Sequence, residues 1–223
     1  MTKSSRRLLI VNPNSNPQVT ARVQACADRI LGPACTGFAV QPPGSPYSIQ
    51  TPADRALAEP LALALLARHP GYDAYVMACF DDIAVAPARA FLTAPIIDAV
   101  DASITAARAV ASRFSIVTTV DAMVPGIQAL VARLGAAGQC TVRAAGIGVA
   151  AAAAGDPEAL RQLDAAITQA RDHDRAQAII LGSGGLTGYA TRLSQRHGLA
   201  VIDGIEAALR LAEAAALEAQ RLT

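Results

Sequence analysis

The sequence predicts an α/β fold of two pseudo-symmetric lobes, each a short, mostly parallel sheet flanked by helices, with a site in the cleft between them. Three observations predict it. An apolar, β-branched run after Asp73 ends at Cys79 and gives way to Phe80-Asp81-Asp82, which reads as a buried parallel strand carrying a cysteine to its tip. A second run, Ala176 to Leu181, ends the same way in Gly182-Ser183-Gly184-Gly185. The strand-end landmarks also recur in order: 67 residues separate Asn12 from Cys79 and 64 separate Thr119 from Ser183, while Asp98 lies 19 after Cys79 and Asp203 lies 20 after Ser183. The expected division is residues 1–103, completed by a closing helix at 205–223, against residues 104–204.

Taken in order, Leu8 to Val11 is a continuously apolar strand, stopped by Asn12-Pro13-Asn14-Ser15-Asn16-Pro17. These capping residues open a helix from about Thr20 to Ile30, whose first N–H groups face the strand end and can receive an anion or a carbonyl. Simple capping is the alternative role. Thr36 to Val40 is a second strand. Pro42 to Pro52, with four prolines, one glycine and no helical period, is an irregular loop; it reads as a lid or binding loop shaping the pocket, with Tyr47, Ser48 and Ile49 as candidate contacts, and a linker is the alternative role. A helix from about Ala53 to Ala67 has a strong apolar stripe and leads to the Cys79 strand. A helix is expected over Asp81 to Leu92 despite Pro87, then a strand Ala94 to Asp98 and a helix Ala99 to Ser112.

There the pattern restarts. Phe114 to Thr119 is a strand ending in polar residues, and Val120 to Pro125 leads into a helix reaching Leu134. Cys140 begins another strand. Ile147 to Ala154 reads as an Ala- and Gly-rich connection. Asp156-Pro157-Glu158 opens a helix to about Asp172, with Asp as cap and Pro in the first position. After the Ser183 strand come a helix from Thr187 to His197, the strand Leu199 to Asp203, and a closing helix from Gly204 to Arg221.

Composition narrows the function classes. At 223 residues the chain can bury a real core, and 52% apolar with 4% aromatic residues means a core of Ala, Val, Leu and Ile. A formal charge of +1 with no basic run beyond Arg6-Arg7 gives no nucleic-acid surface. No apolar run reaches the roughly 18–20 residues of a membrane span, and the first residues carry no signal-peptide pattern, so a cytoplasmic protein is expected. The four cysteines show no CxxC spacing and read as free thiols; His69, His173 and His197 are scattered and read as surface residues, so no metal site is expected. No GxGxxG follows the first strand and no Walker motif occurs, which leaves neither dinucleotide nor phosphate binding indicated.

What remains is the chemistry of a cysteine and a serine at strand tips. A thiolate is a capable acid/base or nucleophile, and Cys79 stands just before an expected helix whose aligned N–H groups favour its anion. A buried structural cysteine is the competing role; Cys26, Cys35 and Cys140 all look structural. Gly182, Gly184 and Gly185 around Ser183 permit close backbone approach and expose N–H donors suited to an oxyanion or enolate. Ser183 lacks a nucleophile-elbow context, and no histidine has a claim to be its base.

Leu9-Ile10-Val11-Asn12-Pro13-Asn14-Ser15, the Cys79-Phe80-Asp81-Asp82 tip, Ile116 to Thr119 with Val124-Pro125, Leu181-Gly182-Ser183-Gly184-Gly185 and Val201-Ile202-Asp203-Gly204 together resemble the aspartate/glutamate/hydantoin racemase superfamily, and its hydantoin and allantoin branch in particular. The similarity covers nearly the whole chain. It implies a cofactor-independent enzyme acting on a small molecule, in which one cysteine per lobe flanks a stereocentre, one taking the α-proton and the other returning a proton to the opposite face. The first cysteine maps onto Cys79. Asn12, Pro13, Asn14, Ser15, Thr118 and Thr119 map onto substrate contacts, joined by Phe80, Asp81, Val124, Pro125 and the glycines around Ser183. A homo-oligomer is also implied.

The second cysteine position holds Ser183, a far weaker acid. Three accounts stay open: an engineered replacement, a natural member doing one-sided chemistry like the decarboxylation of the related arylmalonate decarboxylases, or a natural member acting on another small carbonyl or carboxylate compound. The rival functions are therefore a decarboxylase or isomerase working through an enolate, or a non-catalytic binder of a small anion.

Overall fold

The computed structural model describes residues 5–219. The first sheet comprises β1 (Arg6–Val11), β2 (Cys35–Val40), β3 (Ala74–Met77) and β4 (Ile96–Asp98), in the order β2-β1-β3-β4 with all pairs parallel. The second comprises β5 (Phe114–Thr118), β6 (Cys140–Ala144), β7 (Ala178–Leu181) and β8 (Ala200–Asp203), in the order β6-β5-β7-β8, again parallel. The two halves share one topology. In each, the chain steps from its first strand to one side and then returns to the other, so the switch point lies between β1 and β3 and between β5 and β7. Crevices at such points are where open α/β sheets bind ligands.

The inner strands β1 (from Leu8), β3, β5 and β7 are buried on both faces and largely apolar, whereas the edge strands β2 and β6 keep exposed or partly exposed positions. Leu8 and Ile10 point into a core shared by the two sheets, with Val76, Ile116 and Ile180, while Leu9 and Val11 alternate to the opposite face with Tyr75 and Met77. Each fully buried Leu or Ile contributes about 1.5–3 kcal/mol relative to exposure. Helix α4 (Ala99–Val110) packs on β7 and β8 of the second sheet, and α9 (Gly204–Ala219) packs back on β1, β3 and β4 of the first. The two helices cross the middle of the molecule against each other. Equivalent aspartates precede them: Asp98 Oδ1 accepts from Asp101 N at 2.8 Å, and Asp203 Oδ1 accepts from Ile205 N at 3.0 Å. The expected run of the closing helix to Arg221 passes outside the described residues.

The remaining helices are α1 (Pro17–Ile30), α2 (Pro52–Ala67), α3 (Val85–Ala88), α5 (Val124–Arg133), α6 (Val149–Ala154), α7 (Pro157–Asp172) and α8 (Ala190–His197). α1 begins three residues earlier than expected because Asn16 caps it, accepting from Gln18 N at 2.9 Å, with Pro17 in the first position. Two elements differ from expectation. The helix expected over Asp81 to Leu92 is reduced to the four residues of α3. Asp81 and Asp82 are drawn to Arg55, and Ala84 takes a left-handed conformation (φ 61°) that interrupts any helix from Asp81. Conversely, the Ile147 to Ala154 connection contains α6, a run built of the strongest helix former and ended by Gly155 at φ 74°.

Candidate active site

The cleft lies where the tips of β1, β3, β5 and β7 meet. Its lining comprises Asn14, Ile49, Ala78, Cys79, Phe80, Thr118, Thr119, Met123, Ile127, Val149 and the segment Gly182-Ser183-Gly184-Gly185. The strand ends hold these residues by matching bonds: Ala78 N donates to Val11 O at 2.8 Å and Gly182 N to Val117 O at 2.9 Å. Phe80 bridges the halves. Its ring lies against Gly204, where an added Cβ would sit 3.1 Å from Phe80 Cδ2, and against Gly182 at 3.4 Å from Cδ1. A Cβ on Gly184 would lie 3.3 Å from the Ala78 carbonyl, so the β3 and β7 tips approach backbone to backbone.

Cys79 and Ser183 thus line one cleft, one from each sheet. Both are partly accessible. Ser183 Oγ accepts from Gly185 N at 3.3 Å, which leaves its proton free to donate. Cys79 differs from the expected helix-stabilised thiolate. Burial pushes its pKa up and the Asp81 carboxylate adds to this, against the smaller opposing effects of Arg55 and the Phe80 N–H. With no helix starting at Asp81, the aligned N–H groups that would favour the anion are missing. The free site therefore holds a neutral thiol opposite a hydroxyl. Cys26, Cys35 and Cys140 lie off the cleft, their thiols raised by burial to about 12, about 11 and about 12.

The polar segment after β1 divides its labour. Asn12 is fully buried; its Nδ2 donates to Asn14 Oδ1 and to Thr20 Oγ1, both at 3.0 Å, and it shapes the turn from behind. Asn14 carries the turn's polar group into the cleft. Pro13 and Ser15 join the Pro42–Pro52 loop instead: Ser45 Oγ donates to Pro13 O at 2.6 Å, and Ser15 N donates to Pro46 O at 2.9 Å. From that loop Ile49 lines the cleft, whereas Tyr47 is 53% exposed and Ser48 lies off the lining. On the second sheet Thr118 Oγ1 donates to Gly182 O at 2.9 Å, tying β5 to β7, and Thr119 is buried beside it.

Asp81 is absent from the lining and pairs with Arg55 at 3.1 Å. Val124 and Pro125 face a separate shallow surface with Asp121 and Arg143, and Met123 and Ile127 take the cleft positions. Their i, i+4 spacing, which puts both on one helical face, is the signal that points to them in the sequence. Ala78 and Val149 carry no such signal. None of the histidines lines the cleft; His69 and His197 are partly buried rather than surface groups, the latter 2.9 Å from Asp164. Of the described residues, no charged side chain lines the cleft.

Residues 8–212 match the family described as Asp/Glu/Hydantoin racemase. A hydantoin racemase of Rhizobium meliloti is 36% identical over 208 residues, covering 92% of this chain and 86% of that protein. The allantoin racemase from Klebsiella pneumoniae superposes with a TM-score of 0.91 at 31% identity, covering 97% of this chain and 89% of its own. The allantoin racemase from Pseudomonas fluorescens gives 0.88 at 27% identity, covering 97% and 91%.

Proposed function

The chain belongs to the Asp/Glu/hydantoin racemase family, and we propose that it moves a proton at the carbon alpha to a carbonyl in a neutral, hydantoin- or allantoin-like ring, with Cys79 and Ser183 as opposed acid/base groups. One observation carries this reading: the sulfur and the hydroxyl line a single cleft from opposite lobes, and no charged side chain accompanies them. A free amino acid would bring a carboxylate and an ammonium into that lining, a costly transfer without charged partners. A cyclic amide brings none, and its N–H and C=O groups suit Asn14, Thr119 and the glycine-rich turn.

In the forward step Cys79 first gives up its thiol proton to solvent; the Cα–H bond then breaks, its proton goes to the resulting thiolate, and the electron pair moves onto the adjacent carbonyl as an enolate. Inversion requires a proton from the other face, delivered by the Ser183 hydroxyl, which recovers its own from water. A hydroxyl is the weaker partner. Return of the proton from Cys79 on the same face therefore outpaces inversion, and exchange with retention exceeds racemisation.

The test is deuterium uptake from heavy water into single enantiomers of 5-substituted hydantoins and of allantoin, for this chain beside Ser183→Cys. The expected result is exchange with retention by the parent and a gain of orders of magnitude in racemisation for the variant. No exchange or gain on any of these rings would move the assignment to an enolate-forming decarboxylase or isomerase. We further propose a cytoplasmic homo-oligomer, with lobes of residues 1–103 plus 205–223 and of 104–204; the packing of α9 on the first sheet supports that division.

A further inference from the structure

The segment that follows Cys79 is irregular, and one arginine outside the cleft holds it. Arg55, on α2, donates from Nε to Asp81 Oδ1 at 3.1 Å, from Nη2 to Asp82 Oδ1 at 3.1 Å and from Nη1 to Glu59 Oε2 at 3.0 Å. Glu59 uses its other oxygen to accept from Ala84 N at 3.0 Å, at the residue whose left-handed backbone turns the chain away. The second oxygen of Asp82 accepts from Arg133 Nη2, on α5, at 2.5 Å. The backbone around the cysteine has no helix to fix it, so this fork of three carboxylates does so.

We propose that Arg55 is a positioning residue for the Cys79 thiol, acting through the Asp81 and Asp82 carboxylates that it holds on the segment following the cysteine. The effect has a charge as well as a place. Asp81 is the anion whose field opposes ionisation of the sulfur, and Arg55 is the cation that offsets it. The other charged groups on this assembly are Glu59, Asp82 and Arg133. Without Arg55, Asp81 stands uncompensated beside the sulfur and the thiol yields its proton less readily. The inference rests on the reading of Cys79 as the proton-carrying group, but its test needs no turnover.

The experiment is alkylation of the full chain by iodoacetamide between pH 6 and 10, with the rate at Cys79 followed by peptide mass mapping. At pH 9, Arg55→Gln should react roughly tenfold more slowly than the parent and Asp81→Asn roughly tenfold faster, each corresponding to about one pH unit of thiol acidity. The double variant should return towards the parent rate, and Arg55→Lys should keep most of the charge effect. A merely structural arginine would not give opposite signs that cancel. An unchanged rate in folded Arg55→Gln overturns the proposal. Should that variant fail to fold, Asp81→Asn decides alone, and a slower or unchanged rate overturns it. Absence of deuterium exchange on the candidate rings would instead count against the racemase reading and leave this result standing.

Discussion

Arg22 and Tyr189 join the two halves of the molecule: Arg22 Nη2 on α1 donates to the Tyr189 hydroxyl at 2.6 Å, with the guanidinium 4.6 Å over the ring. The same arginine donates from Nε to Ala153 O at 2.6 Å, at the carboxyl end of α6, and Tyr189 passes its own proton to Ala152 O at 3.2 Å. A cation on the last carbonyls of a helix is favourably placed. The contact holds α6, and with it Val149, against the cleft.

Arg22→Ala is therefore expected to cost about 1–3 kcal/mol, since it strips partly buried carbonyls of their donor and removes the stacked stem. Tyr189→Phe should cost roughly 1 kcal/mol. Denaturant unfolding of the variants beside the parent checks both, and equal stability of all three would refute the clamp.

Gly185 admits no side chain without movement, because a Cβ there would lie 2.7 Å from the Val149 carbonyl. Backbone cannot yield as a flexible side chain does, so Gly185→Ala should destabilise by about 1–3 kcal/mol and displace the Ser183 turn. Thermal melts and loss of proton exchange on a responsive ring would report the two effects together.

Cys79 is a neutral thiol in the free protein, and its direction of shift fixes the pH dependence. Because its pKa is raised above the ordinary thiol value of 9.0, the reactive anion is scarce at neutral pH and increases as pH rises. Alkylation at pH 7 should be slow, and the rate should still be climbing at pH 9, where an unshifted thiol is half ionised. A plateau below pH 8 would contradict the burial argument.

Acid stability should follow Asp174 and Asp82. Hydrogen bonding from Arg143 holds the Asp174 carboxyl below its usual range. Asp82 is likewise lowered: desolvation raises it, and the hydrogen bonds from Arg133 and Asp81 together with the charges of Arg133 and Arg55 outweigh that. A carboxylate depressed in the folded state contributes stability that is complete above its unfolded value of about 3.9 and is lost as pH falls through the folded value. Unfolding midpoints should drop between about pH 4 and pH 2, and Asp174→Asn should flatten that limb. An Asp174→Asn protein with the parent's acid profile would remove Arg143–Asp174 from the account.

The repeat of tip residues at Asn12, Cys79 and Asp98 and at Thr119, Ser183 and Asp203 was legible without coordinates, because parallel strands buried on both faces write unbroken apolar runs that end abruptly at polar residues. Asp98 and Asp203 marked the strand ends, while their role as helix caps comes from the structure. Helix α3 was not legible. Asp81 and Asp82 suit a first helical turn by local preference, but Arg55 and Arg133, brought near by the fold, draw them elsewhere. α6 was hidden by Gly146 and Gly148, whose turn character masks the alanines that follow.

What the sequence by itself determined is therefore the layering, the duplication and the pair of chemical groups at equivalent tips, since each depends on local patterning and spacing. Tertiary structure alone decided which polar residues enter the cleft and how acidic its sulfur is. Asn12 and Asn14 are indistinguishable in composition and both take part in the turn, yet only Asn14, whose Oδ1 accepts from Asn12 and Asn16, also lines the cleft. The acidity of Cys79 is set first by burial, then by the neighbouring Asp81 carboxylate and by Arg55 on α2; neither the burial nor the arginine is encoded in a linear spacing.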